Sequence, residues 1–123
     1  MASGRWHRRG PMILYAAETA SLAMLEVLAG LESAIVPITY QLLQIDVPDA
    51  LEKDEFDGYA PALRVSQDWG MAWLENGTTP LARVPSAIVP VERNILVNSD
   101  HPDASKIKII AASRYPWDLR LFR

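Results

Sequence analysis

Apolar residues recur along this chain in short blocks, and the most coherent of them runs from Met12 to Gly30. It begins as Met12-Ile13-Leu14-Tyr15-Ala16, which predicts a short strand, and passes at Thr19 into TASLAMLEVLAG. In that second segment apolar side chains occupy nearly every position, which predicts a buried helix ending near Gly30. Thr19 or Ser21 can cap it by accepting a hydrogen bond from the first free amides. Glu18 stands where the positive end of a helix dipole favours an acid, and Gly30 is placed to end the helix in a left-handed turn. One residue breaks the apolar surface. Glu26 shares its side of the helix with Leu22, Ala23, Ala29 and Gly30, and a carboxylate in such company is costly to bury unless it is paired or hydrogen-bonded. Two readings satisfy it: an arginine of the N-terminal segment (Arg5, Arg8 or Arg9) folds back onto it as a structural pair, or it lines a polar cavity.

The remaining blocks are shorter. Ile38 to Val47 alternates until Leu43 and predicts a strand between Pro37 and Pro48. Asp49 to Gly58 is acidic and reads as a short helix or irregular loop with solvated charges. Ser66-Gln67-Asp68 opens a second helix reaching about Asn76, with Trp69, Ala72 and Trp73 as its apolar stripe and Asn76-Gly77 as its stop. Leu81 to Val84 and Ala87 to Val97 are strands interrupted by Pro85-Ser86 and Pro90, prolines that argue for a bend or an edge position. Asn98 to Ser105 is a turn cluster, Lys106 to Ala112 a final strand, and Trp117 to Phe122 tucks an aromatic and two large apolar groups against the body. Mixed strands around two main helices predict a compact α+β fold, one domain over residues 1–123.

Composition narrows the function classes. At 123 residues there is room for one core and not for two. The absence of cysteine removes disulfide frameworks, thiolate zinc sites and a cysteine nucleophile. No apolar run approaches the ~20 residues of a membrane span, and no signal-peptide pattern opens the chain, so a cytoplasmic protein without a membrane partner is expected. A net charge of -3 argues against direct nucleic-acid binding by bulk electrostatics. The charge is uneven, however: Arg5, Arg8 and Arg9 lie near the start, whereas Asp46 to Asp57 is rich in acids with the single Lys53. Guanidinium groups around Trp6 fit phosphate oxygens; the alternative is an exposed basic terminus, in which His7 is a solvated loop residue. Ser86 lies at a bend, where its hydroxyl can point into a cleft. With only His7 and His101 in the chain, a serine triad is not favoured. Trp69 and Trp73 read as core, not as a base-stacking platform. No metal-ligand spacing or glycine-rich phosphate loop is present.

Several motifs together go further. Gly4-Arg5-Trp6-His7 with Gly10, Tyr15-Ala16-Ala17-Glu18, Leu22 to Leu28, Val84-Pro85-Ser86-Ala87-Ile88-Val89-Pro90, Asn94 and His101-Pro102 resemble the RES domain family, named for a shared arginine, glutamate and serine. The resemblance runs from Arg5 to the C-terminus. It implies a fold related to ADP-ribosyltransferases and the activity of a bacterial toxin that cleaves NAD at the nicotinamide glycosidic bond, by phosphorolysis or hydrolysis. NAD would be substrate and inorganic phosphate a co-substrate, with no resident cofactor and no metal. A cognate helix-turn-helix antitoxin is the implied protein partner. Matched by position, Arg5, Glu26 and Ser86 are the catalytic candidates, and Arg5, Tyr15, Glu18, Ser86 and Asn94 the substrate-binding ones. Glu26 would stabilise positive charge on the ribose or hold one of its hydroxyls. Arg5 would bind the pyrophosphate or the attacking phosphate, Tyr15 would stack on a ring, and Ser86 would donate to a phosphate. The family carries a longer segment before its glycine-arginine-tryptophan motif, against three residues here, so the resemblance implies an N-terminally shortened domain. Two alternatives follow: an inactive module of the same fold that binds an antitoxin, and an ADP-ribosyltransferase acting on a protein.

Overall fold

The computed structural model describes residues 4–8, 13–31 and 36–122. Strand β1 (Ile13–Ala17) leads directly into helix α1 (Ala20–Gly30); Met12, the strand's expected first residue, lies outside the described residues. Thr19 is the cap, its hydroxyl accepting from the Leu22 amide at 3.2 Å. Two expectations for α1 fail. Gly30 does not turn left-handed: it stays in the helix, and Leu31 leaves in an extended conformation with its amide closing on the Leu28 carbonyl at 3.2 Å. That tightened last turn satisfies a terminal carbonyl without a left-handed residue. Nor is the helix buried. Only Leu22 is, and Leu25 is 42% exposed, because the strand that α1 packs on, β1, is the edge of its sheet.

Strand β2 (Gln41–Asp46) is shorter than the alternation predicts, since Pro37 to Tyr40 closes a turn in which the Tyr40 amide donates to the Pro37 carbonyl. Strand β3 (Lys53–Glu55) falls in the acidic stretch expected to be helix or loop. It has no apolar alternation to betray it; what makes it a strand is its pairing with β4 (Leu81–Pro85), parallel to it, with helix α2 (Leu63–Asn76) as the crossover that parallel neighbours require. Helix α2 starts before Ser66 and uses no side-chain cap. It ends as the sequence predicts, with Gly77 in the left-handed region (φ 59°) and its amide on the Trp73 carbonyl.

Strands β5 (Arg93–Asn98) and β6 (Lys108–Arg114) complete two sheets: β1-β5-β4-β3, and a separate antiparallel ribbon of β2 with β6 whose register shifts between Gln44 and Ile45. The prolines do not put β4 and β5 at an edge; both are central. Pro85 is the last residue of β4 and Pro90 sits in the loop beyond it, so neither interrupts the ladder's interior. The expected turn cluster includes a 3₁₀ turn at Pro102–Lys106. At the C-terminus Trp117 stacks on Tyr115 (4.7 Å between ring centres) and meets Phe122 edge-on, while Leu119 and Leu121 remain exposed.

The four-stranded sheet has apolar groups on both faces. On one, Ile13, Ala82, Val84 and Leu96 pack with Trp6, Trp73 and partly buried Trp69 and Phe56, confirming the two helix tryptophans as core. On the other, Leu51, Leu81 and Val97 pack with Val47, Ile95 and Ile107. The result is one compact α+β domain of mixed strands and two helices. Among the described residues no helix is long and apolar enough to cross a membrane.

Candidate active site

Glu26, Ser86 and Asn94 are brought together from α1, the end of β4 and the start of β5. The Ser86 hydroxyl donates to Glu26 Oε2 at 3.0 Å and the Asn94 amide donates to the same oxygen at 2.5 Å. Ser86 is fully buried, and its oxygen also accepts from the backbone amides of Ile88 and Val89, both at 3.0 Å. One hydroxyl proton and two lone pairs are all a serine has, so its hydrogen-bonding capacity is spent on holding Glu26 and folding the loop. The carboxylate is therefore satisfied by neutral donors. Among the described residues no arginine reaches it; Arg9, one of the three candidates, lies outside them. Both bonds converge on Oε2, so Oε1 receives no protein donor among the described residues. Ser86→Ala leaves two amides and the carboxylate short of a partner, and a loss of about 1–3 kcal/mol in urea unfolding is expected.

The loop 4–8 lies on the same face of the sheet. Ala17 is opposite Asn94 in the β1–β5 register and Tyr15 opposite Leu96, so Tyr15 is one pleat along from the Glu26 cluster. Its hydroxyl accepts from the Trp6 amide at 2.9 Å and lies 2.8 Å from His7 Nδ1. Burial pushes the Tyr15 phenol's ionisation above its usual range, and the Trp6 amide pulls part of the way back. Arg5 Nη2 donates to the Pro61 carbonyl at 2.5 Å, while its Nε is buried with no hydrogen-bond partner. Arg8 pairs with Asp68 on α2, which holds that carboxyl below the usual range.

Helix α2 fixes this loop through a strip of residues three and four apart. Ser66 Oγ lies 2.9 Å from the Arg5 carbonyl, Gln67 donates to the Gly4 carbonyl at 2.9 Å, and Gly70 lets the Trp6 carbonyl come against the helix backbone. Reading the segment as an exposed basic terminus missed this. Trp6 is 2% exposed and His7 is 5%, not solvated. The signal lay in Ser66 and Gly70, two small residues one helical turn apart, which mark a close backbone approach.

Glu18 is elsewhere. Arg83 donates to it through Nε at 3.2 Å and Nη2 at 3.0 Å, with Glu55 3.7 Å from the same guanidinium. These hydrogen bonds and charges hold Arg83 even more firmly protonated than usual. By strand alternation this cluster faces away from Glu26. A cleft of about 1100 Å³ between the β2–β6 ribbon and β1 is lined by Leu14, Tyr15, Ala16, Glu18, Leu43 and Ile109, among others, and does not include Glu26, Ser86 or Asn94. No group of His, Asp and Glu among the described residues is placed to hold a metal.

Comparison with known proteins agrees with the motifs. Residues 1–118 match the RES domain. A protein of Sphingobium sp. named Prs ADP-ribosylating toxin is 38% identical over 134 residues, an alignment covering all of this chain and 83% of the relative. Toxin Res of Pseudomonas putida is 37% identical over 126 residues, covering 98% of this chain and 86% of the relative. Toxin Res of Photorhabdus laumondii is 36% identical over 128 residues, covering 98% and 82%. The chain belongs to the RES domain family.

Proposed function

We propose that this protein is a toxin that breaks the bond between nicotinamide and ribose in NAD, with Glu26 at the reacting sugar. The observation that carries the reading is the asymmetric carboxylate: Oε2 is held by Ser86 and Asn94, and Oε1 has no protein donor among the described residues. A fixed carboxylate with one oxygen in hand is suited to stabilise the positive charge that develops on the ribose, or to accept from a ribose hydroxyl. The bonding pair of the glycosidic bond leaves with nicotinamide. The ribose carbon then takes an oxygen of phosphate, or of water with loss of a proton. Arg5, with an unspent buried donor at Nε, binds the pyrophosphate or the incoming phosphate. Tyr15 offers its ring face to a base. Ser86 positions Glu26, since its single proton is already committed, and Asn94 does the same from β5. Glu18 is a substrate contact only on the far side of β1, where Arg83 already engages it.

The name of the Sphingobium relative favours a second reading, in which the ADP-ribosyl group passes to a protein. Both share the first bond broken. Incubating purified protein with NAD alone, with inorganic phosphate, and with a cell extract separates them by product: ADP-ribose, its phosphorylated form, or labelled protein. If no condition consumes NAD while the protein is folded, the reading of this chain as an inactive antitoxin-binding module replaces both. An antitoxin that covers the Glu26 face is the partner expected for the active forms, acting in the cytoplasm where NAD is available.

A further inference from the structure

Tyr15 sits on an edge strand with its side chain 38% exposed, a setting in which a phenol ordinarily samples several orientations. Here three residues of one short loop act on it. Trp6 is locked in the core, edge-on to Phe56 (5.1 Å) and Trp69 (5.7 Å), and its amide donates to the Tyr15 oxygen. His7 is buried, and its carbonyl accepts from the Gly4 amide at 2.9 Å, closing a tight turn. His7 Nδ1 then shares one proton with the Tyr15 hydroxyl across 2.8 Å. Gly4 makes the contact feasible: a Cβ there would lie 2.7 Å from Tyr15 Oη and 2.8 Å from His7 Cε1.

We propose that His7 is a positioning residue for the reaction, clamping the Tyr15 hydroxyl between its Nδ1 and the Trp6 amide so that the aromatic ring is held ready for a base of the dinucleotide. The inference rests on the proposed NAD reaction and extends it to a residue that touches no substrate. Orientation fixed in advance is binding free energy not spent on ordering the ring when ligand arrives. A ring stacked on a non-reacting part of the ligand helps ground state and transition state alike, so the effect falls on KM and not on kcat.

The test is a set of four proteins, His7→Leu, His7→Asn, Tyr15→Phe and the double variant His7→Leu with Tyr15→Phe, assayed for nicotinamide release and for unfolding by urea. His7→Leu removes the nitrogen at similar bulk and is expected to raise the KM for NAD about three- to tenfold, the worth of one side-chain hydrogen bond, with kcat within about twofold. His7→Asn places an amide oxygen near the position of Nδ1 and recovers most of the loss. In the Tyr15→Phe background His7→Leu raises KM no further, and its cost in urea midpoint is smaller than in the wild type, because the shared bond is already gone. Losses that multiply in KM, or a His7→Leu defect confined to kcat, overturn the proposal. Should His7→Leu not fold, Tyr15→Phe and His7→Asn decide: Tyr15→Phe must raise KM while His7→Asn stays near wild type, and an unchanged KM for Tyr15→Phe refutes the clamp. Failure of the NAD reading is seen separately, as absence of nicotinamide release from the folded wild type. The unfolding cycle then judges the clamp alone, additive losses counting against it.

Discussion

Gly70→Ala is expected to destabilise the fold by about 3 kcal/mol or more, at the top of the range for overpacked cores. An exposed helical glycine changed to alanine normally gains about 1 kcal/mol, so the expected sign is reversed. The reason is where Gly70 lies. A Cβ on it would stand 1.6 Å from the carbonyl oxygen of Trp6 and 2.7 Å from its carbonyl carbon. These are backbone atoms and cannot swing aside like the end of a side chain. Helix α2 would have to move off the loop, and with it would go the contacts of Ser66 to Arg5 and Gln67 to Gly4 and the seat of the Trp6 ring. Urea unfolding reads this as a lowered midpoint with little change in slope. A midpoint equal to or above wild type would mean that α2 does not pack on residues 4–8. Because the same loop carries Arg5 and supports Tyr15, any Gly70→Ala protein that does fold is also expected to lose NAD turnover.

Glu26→Gln is expected to lower kcat for NAD consumption about 10²- to 10³-fold, the scale seen when a group stabilising transition-state charge is removed, and to leave the fold intact. Glutamine keeps the length of the side chain, and its oxygen can still accept from Ser86 and Asn94. Its amide nitrogen then stands where Oε1 was, with no negative charge and no lone pair to offer a ribose. The change removes a transition-state interaction more than a ground-state one, so kcat and kcat/KM should fall together. Steady-state rates beside a urea unfolding curve check both halves. Full turnover from a folded Glu26→Gln protein would remove Glu26 from the mechanism.

That Glu26 needs a polar setting was legible because a carboxylate on an apolar helix demands an explanation, and the family motifs named Ser86 and Asn94 as site residues; that both donate to Glu26 was not legible. What local sequence could not supply was direction. The apolar surface of α1 read as burial, yet how much of a helix is covered depends on whether its supporting strand is central or at an edge, which is a property of strand order. Lys53-Asp54-Glu55 has no strand pattern because β3 is held by the backbone of β4 and by the α2 crossover, not by an apolar face of its own. Pro85 read as the mark of a bend or an edge strand; the chain does bend there, and β4 is central because a proline at a strand's last residue costs the ladder nothing in its interior. His7 read as solvated because a basic cluster between glycines looks like a free terminus; its burial is decided by Gly70 and Ser66, some sixty residues away in sequence. Arg5 read as a donor for an anion; in the structure its Nη2 donates to the Pro61 carbonyl and its Nε is buried without a partner.

The most direct test of the central claim is the quantity of free nicotinamide formed when purified wild-type protein consumes NAD, measured beside Glu26→Gln under the same conditions. Nicotinamide equal in amount to the NAD lost, formed by the wild type and nearly absent with Glu26→Gln, is the predicted result. Folded wild-type protein that releases none, or two proteins that release it equally fast, would contradict the account.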